Sequence, residues 1–238
     1  MTDRDAVRAV FFDVDFTLIY PGPAFQGEGY QRFCAGHGIR IDPALFDAAV
    51  KASAFIIDDV EEPVYDHELF VRYTASIIEY MGGRGPNVVH AAREIYGQWA
   101  TNHHFELYDD VEPVLRDLVE RGYVLGAISN SHRSLDAFCD HFSLRGLIHA
   151  TVSSFEHGYL KPHPSIFEEA LERAGADASS SLMVGDSVKA DIAGALAAGM
   201  RAVLLRRSGD VPPDTPPGVP VIRSLTELAA HLRTGLQS

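Results

Sequence analysis

The feature that most constrains this chain is a short apolar run, residues 9–12, that ends in two acidic residues. The run consists largely of residues that favour β-strands, and Asp13 and Asp15 follow it two positions apart. Because side chains alternate along a strand, both carboxylates are expected to point to the same side. Two carboxylates this close repel each other unless a cation neutralises them or one of them holds a proton. A solvated acidic turn at the end of a strand is the simpler alternative.

Three later segments have the same form, an apolar run that leads into polar residues. The runs cover residues 124–128, 158–160 and 181–185, and the polar residues that follow them are Ser129 and Asn130, Lys161, and Asp186. Open parallel sheets bind their ligands at the carboxyl ends of the strands. The sequence therefore predicts that these side chains meet the two aspartates at one edge of a sheet.

The segment between residues 20 and 106 has helical rather than strand periodicity. Its apolar residues recur three or four positions apart in four stretches, at about residues 24–35, 45–56, 69–80 and 88–99. Clusters of Pro and Gly at residues 21–23 and 82–86 mark breaks in the pattern. This segment is predicted to form a small helical bundle, with its aromatic residues in the bundle core.

After this segment, apolar runs alternate with amphipathic helical stretches. Strands are predicted at 124–128, 149–153, 181–185 and 202–205, with a loop rich in Pro and Gly at 208–220 and a final helix at 225–232. Alternating strands and helices indicate an α/β fold in which a parallel sheet has helices on both faces. We expect residues 1–19 and 107–238 to form this domain, and residues 20–106 to form a second one.

Composition excludes some classes of partner. The formal net charge of −13 argues against binding to nucleic acid or to an anionic membrane, since both attract clustered Lys and Arg. No apolar run approaches the length of a transmembrane helix. Two widely separated cysteines, Cys34 and Cys139, make no disulfide framework, and the polar start of the chain fits no signal peptide, so a cytoplasmic location is expected. The sequence gives no indication of oligomeric state.

Four short motifs occur in order along the chain. They are Asp13-Val14-Asp15-Phe16-Thr17-Leu18, then Ser129-Asn130, then Lys161-Pro162, and finally residues 185–191, GDSVKAD. In these motifs the chain resembles the haloacid dehalogenase-like superfamily of hydrolases, and the phosphatase-type members of its subfamily I that carry a helical cap of the C1 type. The resemblance spans nearly the whole chain. Two positions depart from it: Phe16 stands where Gly is most common, and His163 where Asp is commoner.

This resemblance implies a Rossmann-like core whose central strand carries Asp13, flanked by the strands that lead to Ser129 and Asp186. Residues 20–106 would be the cap domain. Asp13 would attack phosphorus and become an aspartyl phosphate, and Asp15 would donate a proton to the leaving oxygen and later accept one from water. Mg²⁺ would be held by the side chains of Asp13 and Asp186 and by the backbone carbonyl of Asp15.

The remaining motif residues would bind the phosphoryl group or support the residues that do. Thr17, Ser129, Asn130 and Lys161 are expected to bind phosphoryl oxygens, and Lys161 also offsets the negative charge of Asp13. Asp191 would orient Lys161 or the metal. The chain is therefore predicted to be a Mg²⁺-dependent phosphatase, and a closing cap favours a small phosphorylated metabolite over a phosphoprotein as substrate.

Four other functions are compatible with parts of this pattern. A phosphotransferase or mutase shares all four motifs and differs only in its acceptor. A 2-haloacid dehalogenase also uses an Asp nucleophile, but it needs neither the metal nor Asp15. A phospho-acceptor signalling domain has similar residue types, although it lacks a long insertion after the first strand. A binding protein without catalytic activity is disfavoured by the intact acidic residues and Lys161.

Overall fold

The computed structural model describes residues 6–58 and 60–232. The chain forms two compact units. One contains the described residues up to Tyr20 together with those from Leu107 onwards, and the other is Pro21–Glu106. Among the described residues, no helix is both long enough and apolar enough to cross a membrane.

A parallel sheet is the centre of the first unit. The strands, in chain order, are β1 Ala9–Phe12, β2 Ile19–Pro21, β3 Phe105–Leu107, β4 Val124–Ser129, β5 Ala150–Ser153, β6 Ser181–Gly185, β7 Arg201–Leu205 and β8 Val221–Ile222. Six of them form one sheet in the order β5-β4-β1-β6-β7-β8, while β2 and β3 pair separately. All strand pairs in the larger sheet are parallel. The prediction of an α/β fold with a central β1 flanked by β4 and β6 is confirmed.

The central position of β1 follows from its sequence. All four of its residues are buried, and Phe11 and Phe12 are fully inaccessible to solvent. A continuous apolar run of this kind is typical of a strand that is covered on both faces, as in a parallel sheet between two layers of helices. The core on one face combines Phe11 with Phe167 and Met183, from a helix and from the neighbouring β6.

The helices fall into two sets. In chain order they are α1 Gly27–Gly36, α2 Phe46–Ser53, α3 Phe55–Asp58, α4 His67–Tyr80, α5 Val88–Gln98, α6 Val111–Glu120, α7 Leu135–His141, α8 Ser154–His157, α9 Pro164–Ala174 and α10 Gly194–Ala197. The first five lie in the unit Pro21–Glu106, which is helical as predicted. The predicted helix over residues 45–56 is divided into α2 and α3, with a short 3-10 turn at Pro43–Leu45 before them.

One prediction of local structure was wrong. Residues 158–160 form no strand: after β5 the chain makes the single helical turn α8, which ends at Gly158 in the left-handed conformation (φ 93°). Leu160 is nevertheless buried, so its apolar character reflects packing from a loop. After β6 the chain forms a π-helix, Val188–Ala193, that leads directly into α10. The predicted final helix is present, but as a 3-10 helix, Leu225–Ala230.

Candidate active site

The carboxyl ends of three neighbouring strands bring the first group of polar residues together. In the sheet register, Phe12 of β1 pairs with Ala127 of β4 on one side and with Val184 of β6 on the other. Asp13 continues this alignment, because its backbone N–H donates to the carbonyl of Val184 at 2.9 Å. The residue after β1, the last residue of β4 and the residue after β6 therefore lie at one edge of the sheet, as the sequence predicted.

The ammonium group of Lys161 is held by three hydrogen bonds. Its Nζ donates to Asp13 Oδ1 at 2.7 Å, to Asp191 Oδ1 at 2.6 Å and to the carbonyl oxygen of Ile128 at 2.8 Å. An ammonium group has three hydrogens, and each one has an acceptor here. Burial lowers the pKa of Lys161, but Asp13 and Asp191 outweigh that effect and hold the pKa above its ordinary value. Lys161 is therefore a buried, fixed positive charge beside Asp13.

Asp191 lies in the π-helix that follows β6. The Ser187 side chain caps that helix by accepting from the backbone N–H of Ala190, and Asp191 Oδ2 accepts from the backbone N–H of Ser187 at 3.0 Å. The carboxyl group of Asp191 lies directly against Gly185, where an added β-carbon would be only 2.3 Å from it. The glycine at the end of β6 is thus required for Asp191 to lie in contact with Lys161.

Three carboxylates surround this single ammonium group. Asp13, Asp186 and Asp191 each place one oxygen within 4.8 Å of the others. Burial raises the pKa of Asp13 well above its ordinary range, and the nearby carboxylates of Asp191 and Asp186 raise it further, against the effect of Lys161. Burial, with the charge of Asp191, raises the pKa of Asp186 to about 7.

This donor set fits a hard divalent cation. With all three carboxylates ionised and Lys161 protonated, the group has an excess of two negative charges. A cation such as Mg²⁺ would neutralise that excess and prefers oxygen donors of this kind. Both oxygens of Asp191 are already bonded to Lys161 and Ser187, so Asp13 and Asp186 are the better placed of the three to hold it. The carbonyl oxygen of Asp15 remains a predicted ligand.

The side chain of Asp15 is not one of the three clustered carboxylates. Its Oδ1 accepts a hydrogen bond from Arg133 Nη1 at 3.0 Å, and the Arg133 side chain is only 1% exposed. Arg133 was not among the residues predicted from the sequence. An arginine four positions after Ser129 resembles any surface arginine in sequence, and its partner is 118 positions away in the chain.

The predicted phosphate-binding residues differ in their surroundings. The hydroxyl of Thr17 is buried and has no hydrogen-bond partner among the described residues, so a ligand oxygen would satisfy it. Ser129 is buried and donates to the hydroxyl of Ser131 at 2.9 Å. Asn130 binds the backbone of Lys161 twice: its Oδ1 accepts from the Lys161 N–H at 2.7 Å, and its Nδ2 donates to the Lys161 carbonyl at 3.0 Å. Asn130 therefore fixes the loop that carries Lys161, a contact that the sequence did not predict.

The two departures from the family pattern have local structural consequences. Phe16 has a left-handed backbone conformation (φ 65°). Residues with a bulky side chain, such as Phe, rarely adopt this conformation, whereas Gly adopts it freely. His163 caps the start of α9, where its Nδ1 accepts from the backbone N–H of Ser165. An Asp at this position would serve the same capping role. His163 is also stacked on Tyr159, with ring centroids 4.0 Å apart.

Comparison with known proteins agrees with this arrangement. Residues 7–199 match the family model described as haloacid dehalogenase-like hydrolase. The chain therefore belongs to that family of hydrolases, and the predicted resemblance is confirmed.

Three relatives align with most of this chain, and two of them are named as phosphatases. The chain is 28% identical to the haloacid dehalogenase-like hydrolase domain-containing protein 3 of Danio rerio, over 97% of this chain and 98% of the relative. It is 30% identical to a glyceraldehyde 3-phosphate phosphatase of Methanopyrus kandleri, over 84% of each chain. It is 28% identical to an N-acylneuraminate-9-phosphatase of Mus musculus, over 96% of this chain and 94% of the relative.

Solved structures share the fold. The HAD-hydrolase YfnB of Bacillus subtilis superimposes with a TM-score of 0.74 at 18% identity, over 96% of this chain and 99% of the other. A 2-haloacid dehalogenase of Pseudomonas syringae superimposes with a TM-score of 0.63 at 27% identity, over 95% of this chain and 98% of the other. The chain therefore shares its fold with a structure named as a HAD-hydrolase and with one named as a 2-haloacid dehalogenase.

Proposed function

We propose that this protein is a Mg²⁺-dependent phosphatase that hydrolyses a small phosphorylated metabolite through an aspartyl phosphate on Asp13. The observation that carries the proposal is the buried carboxylate of Asp13, bonded to Lys161 and grouped with Asp186 and Asp191. Two relatives of 28–30% identity are named as phosphatases of small phosphorylated compounds, which supports the same class of substrate.

The first half of the reaction is a displacement at phosphorus. Lys161 binds Asp13 Oδ1, so we assign the attack to the other oxygen of that carboxylate. A bond forms between this oxygen and phosphorus while the bond to the leaving alcohol oxygen breaks. Asp15 donates its proton to the departing oxygen, and a neutral alcohol leaves. Thr17 and Ser129 hold phosphoryl oxygens, and Lys161 offsets the negative charge that gathers around Asp13.

The second half returns the enzyme to its starting state. Asp15, now ionised, accepts a proton from a water molecule that attacks the phosphorus of the aspartyl phosphate. The bond between phosphorus and Asp13 breaks, and inorganic phosphate is released. Asp13 and Asp186 would hold the cation, which would neutralise enough negative charge for a phosphate dianion to approach these carboxylates. Asp191 keeps Lys161 in place through the 2.6 Å contact.

We also propose that the helical unit Pro21–Glu106 acts as a cap that limits substrate size. It is inserted in the chain between Asp15 and Ser129, so that it follows directly on the loop of the catalytic acid. A lid that excludes water restricts the site to small molecules. Efficient dephosphorylation of a folded phosphoprotein would contradict this assignment.

The test is a screen of small phosphorylated metabolites for release of inorganic phosphate, with Mg²⁺ and with a chelator. We expect release only with the cation, and we expect Asp13→Asn to lower the rate about a thousandfold or more. The matched control is Asp140→Asn, because Asp140 is an exposed carboxylate paired with Arg145 at the surface. Full activity of Asp13→Asn, or of the wild type after complete chelation, would contradict the proposal.

A 2-haloacid dehalogenase is the second candidate, favoured by the 27% identical structure from Pseudomonas syringae. That reaction needs no cation, so it gives no reason for the excess negative charge around Asp13. Including a 2-haloacid in the same screen and measuring halide release distinguishes the two. A phosphotransferase would instead transfer the phosphoryl group to an added acceptor, and inorganic phosphate would not accumulate.

A further inference from the structure

A buried arginine binds the residue that we assign as the acid and base. Arg133 Nη1 donates to Asp15 Oδ1 at 3.0 Å. Arg133 is the largest fully buried side chain among the described residues, with 1% of it exposed, while 20% of the Asp15 side chain is exposed. A guanidinium group is costly to bury, so a charged partner is needed to keep it in the interior.

We propose that Arg133 is a positioning residue that holds the Asp15 carboxylate in the orientation for proton transfer. The inference rests on the proposed function, in which Asp15 donates and accepts the proton. Among the described residues, Arg133 is the hydrogen-bond donor to this carboxylate, and it uses Oδ1 alone. Oδ2 is therefore the oxygen that carries the proton. Arg133 is too deeply buried to bind the substrate itself in this conformation.

The backbone that carries Arg133 is itself fixed at both ends. Asn130 binds the backbone of Lys161 through two hydrogen bonds. Ser134 caps α7 by accepting from the backbone N–H of Ala137. Arg133 lies between these two anchors, so the loop that orients Lys161 also orients the arginine that binds Asp15. Such a pre-formed contact avoids reorganisation during the reaction.

The first test compares two substrates that differ in their need for an acid. An alkyl phosphate such as glycerol 2-phosphate has a poor leaving group, whereas 4-nitrophenyl phosphate has a good one. Arg133→Met should lower kcat for the alkyl phosphate about a hundredfold, since misplacement of a reacting group by about 1 Å has an effect of this size. The loss for 4-nitrophenyl phosphate should be much smaller, and KM should change little for either substrate. An equal loss with both substrates, or a rise in KM alone, would overturn the proposal.

Two further variants make the result specific. Arg133→Lys should recover part of the lost activity, because the contact uses a single nitrogen that an ammonium group can replace. If the methionine variant does not fold, the lysine variant gives the same comparison of leaving groups. Arg116→Met is the matched control, since Arg116 is paired with Glu112 at the exposed surface, and its activity should equal that of the wild type.

A double-mutant cycle distinguishes positioning from a purely structural role. If Arg133 acts through Asp15, adding Arg133→Met to Asp15→Asn should lower the rate by no more than about twofold beyond Asp15→Asn alone. Additive losses would mean that Arg133 acts independently of Asp15. The proposed function fails if the wild type hydrolyses neither phosphate ester. Suppose instead that the wild type is active and that Asp15→Asn slows the alkyl phosphate more than 4-nitrophenyl phosphate, while the Arg133 variants slow both substrates equally or neither. In that case the proposed function stands and only the positioning role fails.

Discussion

Replacing Gly185 by alanine tests how tightly the charged group at the sheet edge is packed. The added β-carbon would lie 2.3 Å from both Cγ and Oδ2 of Asp191. Atoms cannot approach this closely, so Asp191 has to move. Asp191 is 1% exposed and is held on both oxygens, by Lys161 and by the backbone of Ser187. Any movement therefore lengthens or breaks bonds that hold the ammonium group of Lys161 in place.

The expected loss of stability has two parts. Overpacking a core by one carbon lowers the free energy of unfolding by about 1–3 kcal/mol. Loss of the charge-assisted bond between Lys161 and Asp191 adds about 1.5–3 kcal/mol. We therefore expect Gly185→Ala to destabilise the unit by about 2–5 kcal/mol, since partial relaxation lowers the sum of the two parts. Phosphatase activity should fall with it, because Lys161 then binds Asp13 less rigidly.

Denaturant unfolding followed by far-UV circular dichroism is the appropriate assay. The single tryptophan, Trp99, lies in the helical unit, so its fluorescence does not report on the sheet. Gly146→Ala is the matched control, because Gly146 has nothing within 4 Å of an added β-carbon. That variant should lie within about 0.5 kcal/mol of the wild type. If Gly185→Ala were as stable as Gly146→Ala, the close packing of Asp191 against β6 would be refuted.

Three other predictions concern the cation, the strained residue and a buried carboxylate. Removing divalent cations should abolish phosphate release, and adding Mg²⁺ back should restore it; restoration by no divalent cation would contradict the metal assignment. Phe16→Asn should raise the free energy of unfolding by about 1 kcal/mol, because Asn tolerates the left-handed conformation better, and a loss of stability would contradict this. Asp110 should stabilise the fold above pH 4. Burial raises its pKa, but hydrogen bonds from Arg207, Ser224 and the backbone of Leu225 outweigh this and hold the pKa below its ordinary 3.8. The stability that Asp110 contributes is thus fully present above its ordinary pKa of 3.8, and it is lost as the pH falls through the lowered pKa of the folded state. Asp110→Asn should flatten the acid-induced loss of stability; an unchanged pH profile would contradict this.

The sheet and the main charged residues of the site could be predicted because they depend on local sequence patterns. The apolar runs before Asp13, Ser129 and Asp186 predict strands, and parallel strands end at a common edge. The order of β4, β1 and β6 was implied by the family resemblance and is confirmed. The grouping of Lys161 with Asp13 and Asp191 agrees with the expected support of Lys161 by Asp191.

Contacts between distant parts of the chain could not be predicted in this way. The bond between Asp15 and Arg133 joins residues 118 positions apart, and nothing in the sequence around Arg133 indicates burial. Asn130 binds the backbone of Lys161 across 31 positions. Residues 158–160 have the apolar composition of a short strand but form a loop. Leu160 is apolar because it is buried from that loop. In each case tertiary packing decides the structure, and local periodicity contains no information about it.

Identification of the phosphorylated residue during turnover tests the central claim most directly. The enzyme is mixed with a substrate, quenched in acid and treated with borohydride, which reduces an aspartyl phosphate to homoserine. Peptide mass spectrometry then locates the reduced residue. We predict homoserine at position 13 in samples that contained substrate and cation, and none in samples without substrate. Reduction at another aspartate, or hydrolysis without any reduced aspartate, would contradict the assignment of Asp13 as the nucleophile.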